Sequence, residues 1–144
     1  MAKQLIPTKV YKDMANLLKK QGLIKEIPQL KWTTDKSCFG YLSYIEKKNR
    51  TTGWVEYQIC GIYLNRTFCP NTLKNFLNNP NWSFKYFCEL IDTIAHELAH
   101  ITYHNHSEGH KKLTMKYKEL FYKNYGCMTT LNSVLNYIKD CKAE

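Results

Sequence analysis

The sequence predicts an α+β domain, and three observations carry that prediction. Apolar residues recur at helical spacing between Thr8 and Gln21. Aromatic and β-branched residues then crowd the stretch from Gln29 to Arg66, and helical spacing returns from Ser83 onward. A helix, then strands, then helices is the order of an α+β fold rather than of alternating βαβ units. With 144 residues, no repeat and no linker-like tract, the chain 1–144 reads as a single domain.

The first helix rests on Val10, Met14, Leu17 and Leu18, which fall on one face, with Pro7-Thr8 as a start signal. Gly22 supplies its C-cap, and Leu23 can fold back onto the last turn. Leu30–Thr33 is a short first strand. Cys38–Glu46 and Trp54–Asn65 are longer ones, joined by the polar stretch KKNRTTG, whose length and final Gly suit a hairpin loop of more than two residues. A sheet of three or four strands follows. Pro70 and the Asn-rich stretch around Pro80 interrupt the chain. Ser83 can then N-cap a long helix to about Tyr103, whose apolar stripe is Phe84, Phe87, Ile91, Ile94, Leu98 and Ile101. Two more helices are expected, over His110–Asn124, closed by Gly126, and over Thr130–Lys142.

Composition narrows the function classes. The chain is 44% hydrophobic and 23% charged, so it can bury a core and is neither disordered nor fibrous. No run approaches the ~18 apolar residues of a membrane span, and the N-terminal segment lacks the apolar core of a secretory signal. A soluble, intracellular monomer is expected, in cytoplasm or nucleus. Its six cysteines contain no C-x-x-C pair, which argues for reduced thiols rather than a disulfide framework or zinc ribbon. The net charge is +9, and every basic residue but Arg50 and Arg66 is Lys. Such a surface attracts polyanions, but Lys lacks the bidentate fork of Arg, so non-specific contact with a nucleic-acid backbone is the form expected.

The chemistry is concentrated in His96-Glu97-Leu98-Ala99-His100, an H-E-x-x-H motif inside the long helix. Residues i and i+4 stack on one helical face, so His96 and His100 can bind one metal ion through their imidazoles. Glu97, one residue on, is then near the ion without having to bind it, and can act as general base toward a metal-activated water. Zinc requires a third protein ligand and an open fourth position. His104 continues the same stripe, but i, i+4 and i+8 span about 12 Å along a straight helix, so it ligates only if the helix breaks. His106 follows Asn105, which can turn the chain back, and is favoured as third ligand. His110, after Gly109 at the start of the next helix, is the alternative, with Glu108 and His104 behind it. Tyr103 and Tyr117 are candidate oxyanion stabilisers whose bland reading is packing. Trp32, Trp54 and Trp82 read as core or rim aromatics.

A helix, a sheet ending in ICGIYLN and a helix carrying DTIAHELAH together resemble the zincin metallopeptidases. Among these the chain is most similar to the compact SprT-like, WLM and YgjP-like group, over roughly Gln29–Asn124. HELAHITYHNHS is similar to the WLM and YgjP-like pattern, which implies His106 as third ligand. GHKKL is similar to the SprT-like helix start, which implies His110. The resemblance implies a zincin-like fold: an N-terminal helix, a small twisted sheet, an active-site helix and C-terminal helices. It also implies a zinc endopeptidase whose protein or peptide substrate adds as a β-strand to an edge strand, where Gly61 would let another backbone approach or would mark a bulge. The group further implies cleavage of DNA-crosslinked proteins, a repair task. The +9 charge agrees with this, and Lys111, Lys112, Lys116, Lys118 and Lys123 follow the site as candidate nucleic-acid contacts. The rival reading is a basic DNA-binding module with a structural or vestigial zinc site.

Overall fold

The structure, a computed structural model, describes residues 6–34, 39–65, 78, 80–125 and 130–138. In chain order the elements are α1 (Ile6–Lys20), β1 (Leu30–Thr33), β2 (Gly40–Lys48), β3 (Val55–Asn65), α2 (Pro80–Ala99), α3 (Glu108–Tyr125) and α4 (Leu131–Ile138). This is the α+β order expected from the sequence.

α1 forms because its apolar stripe has somewhere to go: Val10, Met14 and Leu18 are fully buried. Its end is set by backbone chemistry. Gly22 takes φ 74°, and the N–H groups of Gly22 and Leu23 donate to the carbonyls of Lys19 and Leu18 at 3.0 and 2.9 Å. That is the paired closure of a Schellman cap, with Gly at the left-handed position.

Among the described residues the sheet has three strands, in the order β1-β3-β2. β1 runs parallel to β3 and β2 antiparallel to it. The β2–β3 loop is organised by Asn49, whose Oδ1 accepts from the N–H groups of Thr51 and Thr52 at 2.9 and 3.2 Å. Gly53 closes the loop at φ 75°. Trp54, beside it, is 73% exposed and so belongs to the loop rim, not the core.

Gly61 corrects one expectation. It lies in the central strand β3, not in an edge strand, so it cannot receive an added strand. Its register neighbours give the reason for a glycine there. Ser43 pairs with Gly61 but Tyr44 pairs with Ile59, leaving Cys60 as the extra residue of a bulge. On the other side, a Cβ on Gly61 would sit 3.0 Å from the Gln29 carbonyl oxygen. The close approach is made by the chain leading into β1. Among the described residues, β2 is the edge strand on the side of the site.

α2 begins at Pro80, so Ser83 lies inside the helix rather than capping it. Proline is favoured in a first turn, where its missing N–H has no intrahelical partner to lose. The helix also ends earlier than Tyr103. After Ala99 the chain tightens into shorter-range bonds, from Ile101 N–H to Leu98 O at 3.2 Å and Thr102 N–H to Ala99 O at 3.1 Å. One core joins α1, the inner sheet face and the helices through residues such as Met14, Leu18, Ile62, Leu64, Ile91, Leu98, Tyr117 and Phe121. Cys60 and Cys88 are free thiols. Cys38, Cys69, Cys127, Cys141, Pro70 and Gly126 lie outside the described residues, as does the expected extension of the last helix to Lys142. Among the described residues, no helix is long and apolar enough to cross a membrane.

Candidate metal centre

The site is built where α2 runs out. Leu98 and Ala99 are fully buried and anchor the last helical turn in the core. Helical spacing then sets His96 and His100 one above the other on the opposite face. Their Nε2 atoms are 3.1 Å apart. Because the helix unwinds after His100, the following loop can turn back, and His106 Nε2 arrives 3.2 Å from His96 Nε2. An imidazole nitrogen has one in-plane lone pair and cannot accept from two neighbours at once. Two ligands of one tetrahedral zinc, each about 2.0–2.1 Å from it, lie roughly 3.3 Å apart, so the spacing is that of a shared ion.

His110 joins the cluster from the first turn of α3. One ligand atom each of His96, His100 and His110 lies within 4.8 Å of the others. Three histidines are thus close enough to bind a metal ion. His110 differs from His106 in what its ring already does. It is 1% exposed, stacks on the His100 ring at 4.0 Å between centroids, and its Nε2–H donates to the His96 carbonyl at 2.9 Å. The two candidates for third ligand therefore stand on one cluster: His106 Nε2 is 3.2 Å from His96 Nε2, and His110, its Nε2–H bonded to the backbone, has Nδ1 left. The other two candidates fall away from it. Glu108 is exposed and pairs with Lys111 at 3.6 Å. His104 lies against the Tyr57 ring, 4.0 Å between centroids, with Tyr44 at 5.0 Å.

The surroundings of these imidazoles keep them unprotonated. Burial, then the neighbouring imidazoles of His110, His100 and His106, push His96 down to about 4, and His100 is lowered chiefly by burial. Both rings are therefore neutral at physiological pH and keep a lone pair to give. His100 Nδ1–H donates to the Tyr103 carbonyl at 2.8 Å, which leaves Nε2 as the free donor atom. An all-imidazole set suits zinc, copper, iron and nickel alike.

Glu97 is 6% exposed and its Oε2 is 4.0 Å from His96 Nε2. Burial raises its carboxyl to about 7, although the Leu42 backbone N–H donates to it and works the other way. That hydrogen bond ties Glu97 to β2. A cavity of about 390 Å³ opens along the same strand, lined by Gly40, Leu42 and Tyr44 together with His96, Glu97, His100, His104 and His106.

The main-chain groups of Leu42 and Tyr103, and the Tyr44–His104 wall, were not legible in the sequence, because no side-chain type encodes them. The two tyrosines considered as oxyanion stabilisers both make packing contacts. Tyr117 is 1% exposed with its hydroxyl toward Thr102. Tyr103 packs its ring over Gly109, where an added Cβ would lie 2.6 Å from Cε1. Of the five lysines, Lys112, Lys116 and Lys123 are exposed, whereas Lys118 pairs with Asp92 at 3.1 Å and Lys111 with Glu108. Compared with known proteins, the chain matches no family model, no curated protein and no solved structure.

Proposed function

We propose that this chain is a zinc-dependent endopeptidase, with His96, His100 and His106 as the protein ligands and Glu97 as the general base. The observation that carries the reading is the approach of three imidazole Nε2 atoms beside a buried carboxylate at the free edge of a sheet. His110 is oriented by its bond to the His96 carbonyl, which leaves its Nδ1 available, and it is the alternative third ligand. His100 is oriented in the same manner by the Tyr103 carbonyl.

A zinc ion held there supplies Lewis acidity, lowering the pKa of water and polarising a carbonyl. Glu97 supplies the proton traffic: its carboxylate takes a proton from the attacking water and delivers it to the departing amine. β2 supplies orientation, because a substrate strand added to its free edge gains main-chain hydrogen bonds with little demand on side chains. We further propose that substrates include proteins on DNA. The +9 net charge and the exposed Lys112, Lys116 and Lys123 support long-range attraction to it.

One observation favours a second reading. All four rings, of His96, His100, His106 and His110, lie within 4.0–5.4 Å of one another, and four ligands would close a structural zinc site on a basic nucleic-acid-binding module. The Glu97→Gln variant separates the two. The peptidase reading expects stoichiometric zinc, measured by elemental analysis, and cleavage of a denatured protein substrate that falls at least about a hundredfold. His106→Ala should lose zinc, and His110→Ala should keep it. A wild-type protein that holds zinc and cleaves nothing sinks the peptidase.

A further inference from the structure

A second cavity, of about 490 Å³, lies on the other side of the same histidines. His96, His106 and His110 form one wall, and Asp92, Lys111, Met115 and Lys118 are among the other lining residues. Its position relative to β2 follows from three contacts. A Cβ on Gly40 would lie 3.1 Å from Thr93 Cγ2, the Leu42 N–H meets Glu97, and Tyr44 lies against His104. β2 and α2 therefore run side by side in the same direction. A peptide pairing antiparallel to β2, the stronger of the two pairings, would enter with its N-terminal residues at Tyr44 and His104. It would leave with its C-terminal residues past Gly40, toward the Asp92 end of α2, which is where the second cavity lies.

The lining has a definite chemistry. Lys111, Met115 and Lys118 stand at i, i+4 and i+7 on one face of α3. Met115 is 57% exposed, an apolar side chain held in water beside the metal ligands. Lys118 Nζ is fixed by Asp92 at 3.1 Å. Lys111 is held only by the exposed Glu108 at 3.6 Å, a pairing that water screens and a ligand can displace. Two ammonium groups therefore stand over an apolar floor, Lys118 paired with the lining Asp92 and Lys111 with Glu108 outside the lining, so an entering carboxylate competes with Glu108 for Lys111. An Asp or Glu side chain fits both features, its methylenes on Met115 and its carboxylate toward the lysines. Lys112, Lys116 and Lys123 take no part, since they fall on a different face of the helix.

We propose that this cavity is the subsite for the substrate residue that follows the scissile bond, and that Lys111 and Lys118 make it select an acidic side chain. The inference rests on the peptidase reading for the direction of the chain, but its binding test does not need cleavage. Zinc-loaded Glu97→Gln protein is titrated with two labelled hexapeptides that differ by a central Ala-Glu or Ala-Gln. The Glu peptide should bind roughly fivefold more tightly. Adding Lys111→Met and Lys118→Met should erase that difference and leave the Gln peptide unchanged. In parallel, wild-type cleavage sites in denatured casein, read by mass spectrometry, should be enriched in Asp and Glu just after the cut.

Equal affinities overturn the subsite, as does a difference that survives the double substitution or cleavage without acidic preference. It is also overturned if a short single-stranded oligonucleotide displaces the Glu peptide from the parent and fails to bind the double variant, because the lysines would then be a phosphate site. Discrimination between the peptides with no cleavage by the wild type leaves the acid-selective cavity standing and removes the peptidase.

Discussion

At the scale of single residues, Glu97 carries the most informative tension. Its carboxyl is buried beside the His96 imidazole, and burial pushes it from an ordinary 4.5 up to about 7. The folded apoprotein thus holds this proton more tightly than the unfolded chain. The stability attached to it is full below about pH 4.5 and is lost as the pH rises through about 7. Glu97→Gln keeps an oxygen for the Leu42 N–H and removes the charge. Denaturant unfolding of the metal-free protein should find the variant more stable by on the order of 2–3 kcal/mol at pH 8. The gap should close toward pH 4.5. Parallel stability curves for the two proteins across that range would show that burial does not govern this group. The H-E-x-x-H spacing made His96, Glu97 and His100 readable in advance, because a helix turns periodicity into proximity. Nothing of that kind chose between His106 and His110, since a loop has no period.

Among the elements, glycines have different reasons to be glycine. Gly22 is glycine for its φ of 74°, whereas Gly61 is glycine because the Gln29 carbonyl passes 3.0 Å from where a Cβ would be. Gly61→Val should push β1 from β3 and open the bulge at Cys60, costing about 1–3 kcal/mol in chemical unfolding. The zinc content should be unchanged, because the histidines sit on α2 and the loop after it. Loss of zinc along with stability would mean that the sheet and the site are one cooperative unit. β1 was legible to the residue, and β2, β3 and α3 to within about two residues, because alternation and helical period are local properties. The start of α2 at Pro80 was not, since a proline that opens a helix and one that breaks the chain look alike in sequence.

For the whole molecule, the metal is expected to act as a staple between α2 and the loop before α3. A site saturated at about a hundred times its dissociation constant adds roughly 2.7 kcal/mol to folding. For a domain of this size that is about 5–10 °C in melting temperature. Chelation should lower the midpoint by that amount, and re-addition of zinc should restore it. An unchanged midpoint would mean that the cluster holds no ion in solution. The +9 charge acts at this scale too, as a field over the surface that any polyanion feels before contact.

The sequence by itself determined the α+β order, the helical placement of His96, Glu97 and His100, and a strongly basic surface. Each follows from local periodicity or from composition, which need no partner elsewhere in the chain. Tertiary structure alone decided that β2 rather than β3 presents the free edge and that Gly61 faces β1. It also decided that His106 and His110 both reach the cluster and that Lys111 and Lys118 flank a cavity beside the histidines. These depend on which segments pack together, and packing is fixed by burial of the whole core rather than by any one stretch of residues.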